Sequence, residues 1–192
     1  MLIGLDISSS IVGVSIFNDD NTLFDLRNID LRKIDSFFKK ADYVRARLQD
    51  IKCEITSLTK KVHIISVEEC AQSFRKGFSS AQTISTLARF NGVVSQIAYE
   101  IFYVEPLYYN VVSSRKSLGI KLDKSGEIDT KEQIVAWVSL QEPTFKWPTR
   151  ILSKGKNVGT QIYEVYCYDM ADAYVIGKIA VQKNAENNNG KA

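Results

Sequence analysis

The sequence predicts an α/β protein, a mixed five-stranded sheet flanked by helices. Three observations predict it. The chain opens with three short, apolar, β-branched runs separated by turn residues. Its hydrophobic spacing then changes to threes and fours. Two further apolar runs follow, each alternating with a helical stretch.

Residues 2–8 (LIGLDIS) and 11–17 (IVGVSIF) are expected to form a hairpin about a serine-rich turn. The turn Asn18-Asp19-Asp20-Asn21 leads to a third strand over 22–29. From 34 to 58 one helical face carries Ile34, Phe37, Phe38, Ala41, Val44, Leu48, Ile51, Ile55 and Leu58. Residues 62–68 (VHIISVE) are apolar on both faces, as a central parallel strand should be. A helix is expected over 79–102, capped by Ser79 or Ser80 and lined by Ile84, Leu87, Ala88, Val94, Ile97 and Ile101. Residues 107–113 (LYYNVVS) read as a fifth strand, and 130–140 as a helix starting at Thr130. Pro143, Pro148, Gly155 and Gly159 break 143–160 into a loop or short hairpin, with 161–167 as its extended arm. The last helix spans 169–182. The chain is long enough for one domain, taken as 1–183, with a polar tail over 184–192 expected to be disordered.

Hydrophobic residues at 45% and charged residues at 24% are the balance of an ordinary soluble globular protein. A net charge of +3 does not by itself imply nucleic acid. The three cysteines, Cys53, Cys70 and Cys167, are too sparse for a disulfide framework or a zinc site and favour a reducing cytoplasm; a bacterial or phage-infected cell is expected, with an organelle left open. No basic leader precedes the first strand, and no run approaches the ~18 apolar residues of a membrane span. The one histidine, His63, fits a strand position and leaves little scope for histidine-based catalysis.

The carboxylates carry the chemistry. Asp6 lies inside an apolar strand, where an unpaired carboxylate is costly. Glu68 ends another apolar strand beside Glu69, which reads as a solvated neighbour. Asp169 and Asp172 share one face at the start of a helix, where negative charge is favoured; Asp169 alone also fits a helix cap. A strand Asp, a strand-end Glu and a helical DxxD suit two Mg²⁺ about 4 Å apart, with Mn²⁺ as a substitute.

LIGLDISSSIVGVSIF resembles the first hairpin of RuvC-type Holliday-junction resolvases, which have an RNase H-like fold. SVEECAQSF resembles their second motif and YDMADAYVIGKIA their last. Order and spacing agree over roughly residues 2–182. The chain departs from the pattern at Ile7-Ser8, after the first Asp, and in a longer 142–168 stretch. The resemblance implies Asp6, Glu68, Asp169 and Asp172 as catalytic metal ligands. It also implies hydrolysis leaving a 5′-phosphate, and a homodimer built on helix 79–102. Lys131 in DTKEQIVAWV matches the family's lysine near the scissile phosphate, and Lys116 in SSRKSLG a second basic position.

Three acid-free stretches are candidate DNA contacts. They hold Arg75, Lys76 and Arg89; Arg115, Lys116 and Lys121; and Lys146, Arg150, Lys154 and Lys156. The bland alternative is a solvated surface. Phe74 and Phe78 bracket Arg75-Lys76-Gly77 and fit a base-stacking wedge or the core equally well; Phe74, nearer Glu68, is preferred as the wedge. The expected activity is that of a Mg²⁺-dependent crossover-junction endodeoxyribonuclease acting on four-way DNA junctions. The alternatives are a nuclease of the same fold acting on RNA–DNA hybrids or other branched DNA, a non-catalytic junction-binding protein, and an actin-like ATPase. The last needs a second phosphate-binding half and far more chain, so no nucleotide cofactor is expected.

Overall fold

The computed structural model describes residues 1–70, 81–123, 125–126, 128–155 and 158–189. Its main sheet is built from β1 (Leu2–Ile7), β2 (Ile11–Phe17), β3 (Leu23–Asp30), β4 (Ile64–Glu68) and β5 (Pro106–Tyr109). The strand order is β3-β2-β1-β4-β5. β1 to β3 form the expected antiparallel meander, and β4 and β5 join β1 in parallel. The five-stranded mixed sheet predicted from the sequence is therefore present.

One face of the sheet packs on α1 (Phe37–Ser57) and α2 (Ala81–Phe102). Ser36 caps α1, its hydroxyl accepting from the Lys39 amide at 3.5 Å. The predicted stripe buries Ala41, Val44, Leu48, Ile51 and Ile55. Phe38 departs from the stripe and is 77% exposed, with its ring edge-on to Phe37.

The opposite face packs on α4 (Thr130–Gln141) and α5 (Tyr166–Asn189). The cap of α4 is Asp129 rather than Thr130, its carboxylate accepting from the Lys131 amide at 2.7 Å. The 143–160 stretch contains a hairpin of β6 (Thr149–Ile151) and β7 (Gln161–Tyr163). Trp147, Phe145 and Tyr163 stack edge-on at its base.

Three expectations need correction. The fifth strand stops at Tyr109, and Val111–Ser117 form a short helix, α3. Asn110 makes the switch, its side chain accepting from the Val112 and Ser113 amides at 3.1 Å each. The Val-Val pair that reads as strand is carried into the helix by that cap. α5 begins at Tyr166, so 166–167 is helix and not an extended arm. At its far end α5 continues through 184–189, where the polar composition predicts disorder. Adding a residue to an existing helix closes one hydrogen bond without a new nucleation cost. The Gln182 amide also donates to Glu186 across one turn, at 2.9 Å.

Candidate active site

β1 and β4 run side by side in parallel, with Gly4 paired to Ser66 and Leu5 to Val67. One residue further along each strand come Asp6 and Glu68. Strand alternation sends Ile3, Leu5, Ile7, Ile65 and Val67 into the α1–α2 core. The same alternation turns Asp6 and Glu68 toward α5, alongside Leu2, Gly4, Ile64 and Ser66.

α5 lies unusually close to these strands. A Cβ on Gly13 would collide with the Asp169 carbonyl. One on Gly4 would stand 2.6 Å from the Gly177 nitrogen and 2.7 Å from the Ala173 oxygen. Only glycine allows that approach. Ser15 fastens it, its hydroxyl donating to the Ala173 carbonyl at 2.8 Å. The docking brings the first turn of α5, with Asp169, and the following turn, with Asp172, over the ends of β1 and β4.

The four acids lie near enough for their charges to act on one another. Burial holds the Asp6 carboxyl well above the ordinary aspartate range. The Glu68 charge and its hydrogen bond add to this, then the charges of Asp172 and Asp169. Glu68 is also raised, first by burial, while its hydrogen bond with Asp6 pulls the other way. Asp169 is pushed up to about 6, mainly by burial, against the opposing charge of Lys131. Crowded, partly buried carboxyls that resist ionising together are a cluster short of positive charge.

Two cations supply part of it. Arg115, on α3, donates from Nη2 to Asp172 Oδ1 at 2.6 Å. Its charge also draws Glu68 downward. Lys131, at the start of α4, offsets the rise at Asp169, and its Nζ lies 5.8 Å from the centre of the Tyr168 ring. Hard carboxylate oxygens from two strands and a helix suit Mg²⁺ or Mn²⁺, so the donor set fits such ions. As they stand, no three acidic, histidine or cysteine side chains among the described residues are gathered to hold one.

The structure thus brings together Asp6, Glu68, Asp169, Asp172 and Lys131. Arg115 differs from its expected role as a surface phosphate contact. It is only 16% exposed and is committed to Asp172, because α3 points it inward. Lys116, the next residue, is exposed, as is Lys154 in the β6–β7 hairpin. Arg89 belongs to the other layer, its guanidinium 5.6 Å from the centre of the Phe37 ring. Phe74, Arg75, Lys76, Phe78 and Lys156 lie outside the described residues, as do Ser79 and Ser80. His63 sits before β4, at the far end from the acids, 2.9 Å from the Met1 nitrogen. The three cysteines are free. No helix among the described residues is long and apolar enough to cross a membrane.

Sequence reasoning missed Asn91 and gave Arg115 a different role. Asn91, buried on α2, donates from Nδ2 to the Glu68 carbonyl at 3.0 Å and fixes the end of β4. A polar residue inside an apolar helical stripe was the available signal. The inward turn of Arg115 had no signal short of recognising Asn110 as a cap.

No protein-family model and no curated protein matches the chain. Solved structures do. Thermus thermophilus RuvC in complex with a Holliday junction substrate matches with a TM-score of 0.59 at 14% identity, over 93% of this chain and 90% of that one. A second Thermus thermophilus RuvC structure gives 0.57, also at 14% identity, over 97% of this chain and 96% of that one. The matches span nearly the whole of both chains, and what they establish is architecture: this chain has the RNase H-like fold of RuvC.

Proposed function

We propose that the protein is a metal-dependent endodeoxyribonuclease that resolves four-way DNA junctions. The observation that carries this reading is the meeting of Asp6 and Glu68, from adjacent parallel strands, under the helix that bears Asp169 and Asp172. The RuvC fold supports it, and one of the matching RuvC structures holds a Holliday junction.

Asp6, Glu68, Asp169 and Asp172 are the residues that would hold two Mg²⁺. When bound, such a pair activates water and stabilises the leaving oxygen. The protein's own contribution is to hold the acids against a rigid sheet and to aim cations at the phosphate. Lys131 lies beside Asp169 and is exposed, so it can reach a scissile phosphate and offset developing charge. Lys116 and Lys154 are exposed for backbone contacts that position the DNA. Symmetric cutting of a junction calls for two such sites, hence a homodimer. The groove of about 600 Å³ between α1 and α2, lined by Phe37, Phe38, Ala41, Val93 and Ile97, gives a second copy apolar surface to cover.

The test is Asp6→Asn assayed with Mg²⁺ on a mobile four-way junction, a flap and an RNA–DNA hybrid. Junction binding should survive and cleavage should fall by at least about a hundredfold, the loss typical of removing one group from a reacting centre. Undiminished cutting by the variant would sink the assignment. Preference for the hybrid over the junction would move the substrate and keep the site.

A further inference from the structure

The Arg115–Asp172 pair is not an ordinary surface ion pair. Its side chains are 16% and 15% exposed, and the contact is 2.6 Å. Water screens such a pair weakly, so its strength and its desolvation cost are both large. Among the described residues, Arg115 Nε is buried without a hydrogen-bond partner. Arg115 is carried by the short helix α3, which the Asn110 cap starts, and its Nη2 donates to Asp172. Its charge also acts on Glu68. Arg115 thus serves two acids of the cluster at once.

We propose that Arg115 is the built-in counter-ion of the acid cluster and competes with a divalent cation for Asp172. The inference rests on the nuclease reading and concerns how that site loads. A guanidinium bonded to Oδ1 of Asp172 repels a dication brought to the same carboxylate. Across a few ångströms in a partly buried site, that repulsion is worth an order of magnitude or more in affinity. Ion binding at Asp172 then requires the pair to open. Opening gives up the contact to Asp172, and among the described residues Nε has no further hydrogen bond to lose. Arg115 is a positioning residue in this scheme: it acts through Asp172.

The sign of the effect separates this from a supporting role. If Arg115 merely orients Asp172 as a ligand, its removal weakens ion binding. If it competes, its removal tightens binding. The experiment measures Mn²⁺ affinity by electron paramagnetic resonance on EDTA-treated, dialysed full-length protein, for wild type, Arg115→Gln and Arg115→Lys. The competition predicts about tenfold or more tighter binding for Arg115→Gln, with Arg115→Lys between it and wild type. It also predicts a larger Mn²⁺-induced rise in Tm for Arg115→Gln, since that variant lacks the internal cation. Asp172→Asn combined with Arg115→Gln should erase the gain, as a pairwise effect must. Equal or weaker Mn²⁺ binding by Arg115→Gln overturns the competition and leaves the nuclease site standing. Absence of Mn²⁺ binding by wild type and both Arg115 variants overturns the nuclease reading and this inference with it. Should Arg115→Gln fail to fold, Arg115→Lys alone decides: a shorter, more flexible point charge must let the protein bind Mn²⁺ more tightly than wild type.

Discussion

The two faces of the sheet are built from the same strands by opposite rules. Toward α1 and α2, the strands present Ile3, Leu5, Ile7, Val12, Val14, Ile16, Ile65 and Val67 without a break, and the helices answer with Val44, Leu48, Ile51, Val94 and Ile97. Toward α5, β1, β2 and β4 present glycine, serine and acid among a few large residues: Gly4 and Asp6, Gly13 and Ser15, Ser66 and Glu68. The first face gains stability by burying branched side chains. The second gives up that burial so that a helix backbone can touch a strand backbone and bring its aspartates to theirs. Stability and chemistry are thus separated by alternation along β1, β2 and β4, one residue apart.

That separation can be broken experimentally. Leu48→Ala should cost about 2–5 kcal/mol, the range for a fully buried leucine. Urea denaturation would show it, while cleavage per folded molecule at low temperature should stay within about twofold of wild type, as for a site far from the chemistry. A comparable loss of cleavage would mean that the two faces are not independent. Gly13→Ala should cost less stability, about 1–3 kcal/mol, because the helix can shift to relieve the overlap. It should nevertheless remove cleavage by about a hundredfold, since the atom displaced is the carbonyl of Asp169 itself. Retained cleavage with lowered stability would show that the glycine contact sets packing only.

The smallest expected effect is a pH dependence confined to the acid face. Asp169 binds its proton more tightly when folded, at about 6 against an ordinary 3.8. Between those values the folded state holds more protons than the unfolded state. Stability of the EDTA-treated protein should therefore fall as pH rises from about 4 to about 6. Asp6 and Glu68 are raised as well and act in the same direction. Thermal melts across that window check it, and Asp169→Asn should flatten the slope. A slope of opposite sign would mean that the acids are better compensated than their surroundings imply.

The two faces also differ in how much of each was legible in the sequence. The apolar face is a matter of period, and Val44, Leu48, Ile51 and Ile55 fall where their spacing puts them. The acids were legible for a different reason: a carboxylate inside an apolar strand needs an explanation, and Asp6 had only a few. What could not be read is contact across long separations. Arg115 meets Asp172 57 positions away, and only the turn at Asn110 decides that it faces inward. The start of α3 was hidden because Val111 and Val112 favour strand, and one side-chain cap overrides them. Phe38 fits the helical stripe yet is 77% exposed, because periodicity reports a face and not what covers it.

The backbone contact between Gly13 and α5 acts as a fixed spacer. Where two elements are separated by side chains, a methylene added or removed tunes the gap, and rotamers absorb the error. Here the helix backbone rests directly on β2, and there is nothing between them to adjust. The distance from the helix-borne to the strand-borne acids is consequently set by the van der Waals thickness of peptide groups. A redesign aimed at accommodating a larger ion would have to move the whole helix, as a side chain at Gly13 would, with no rotamer to tune the gap finely.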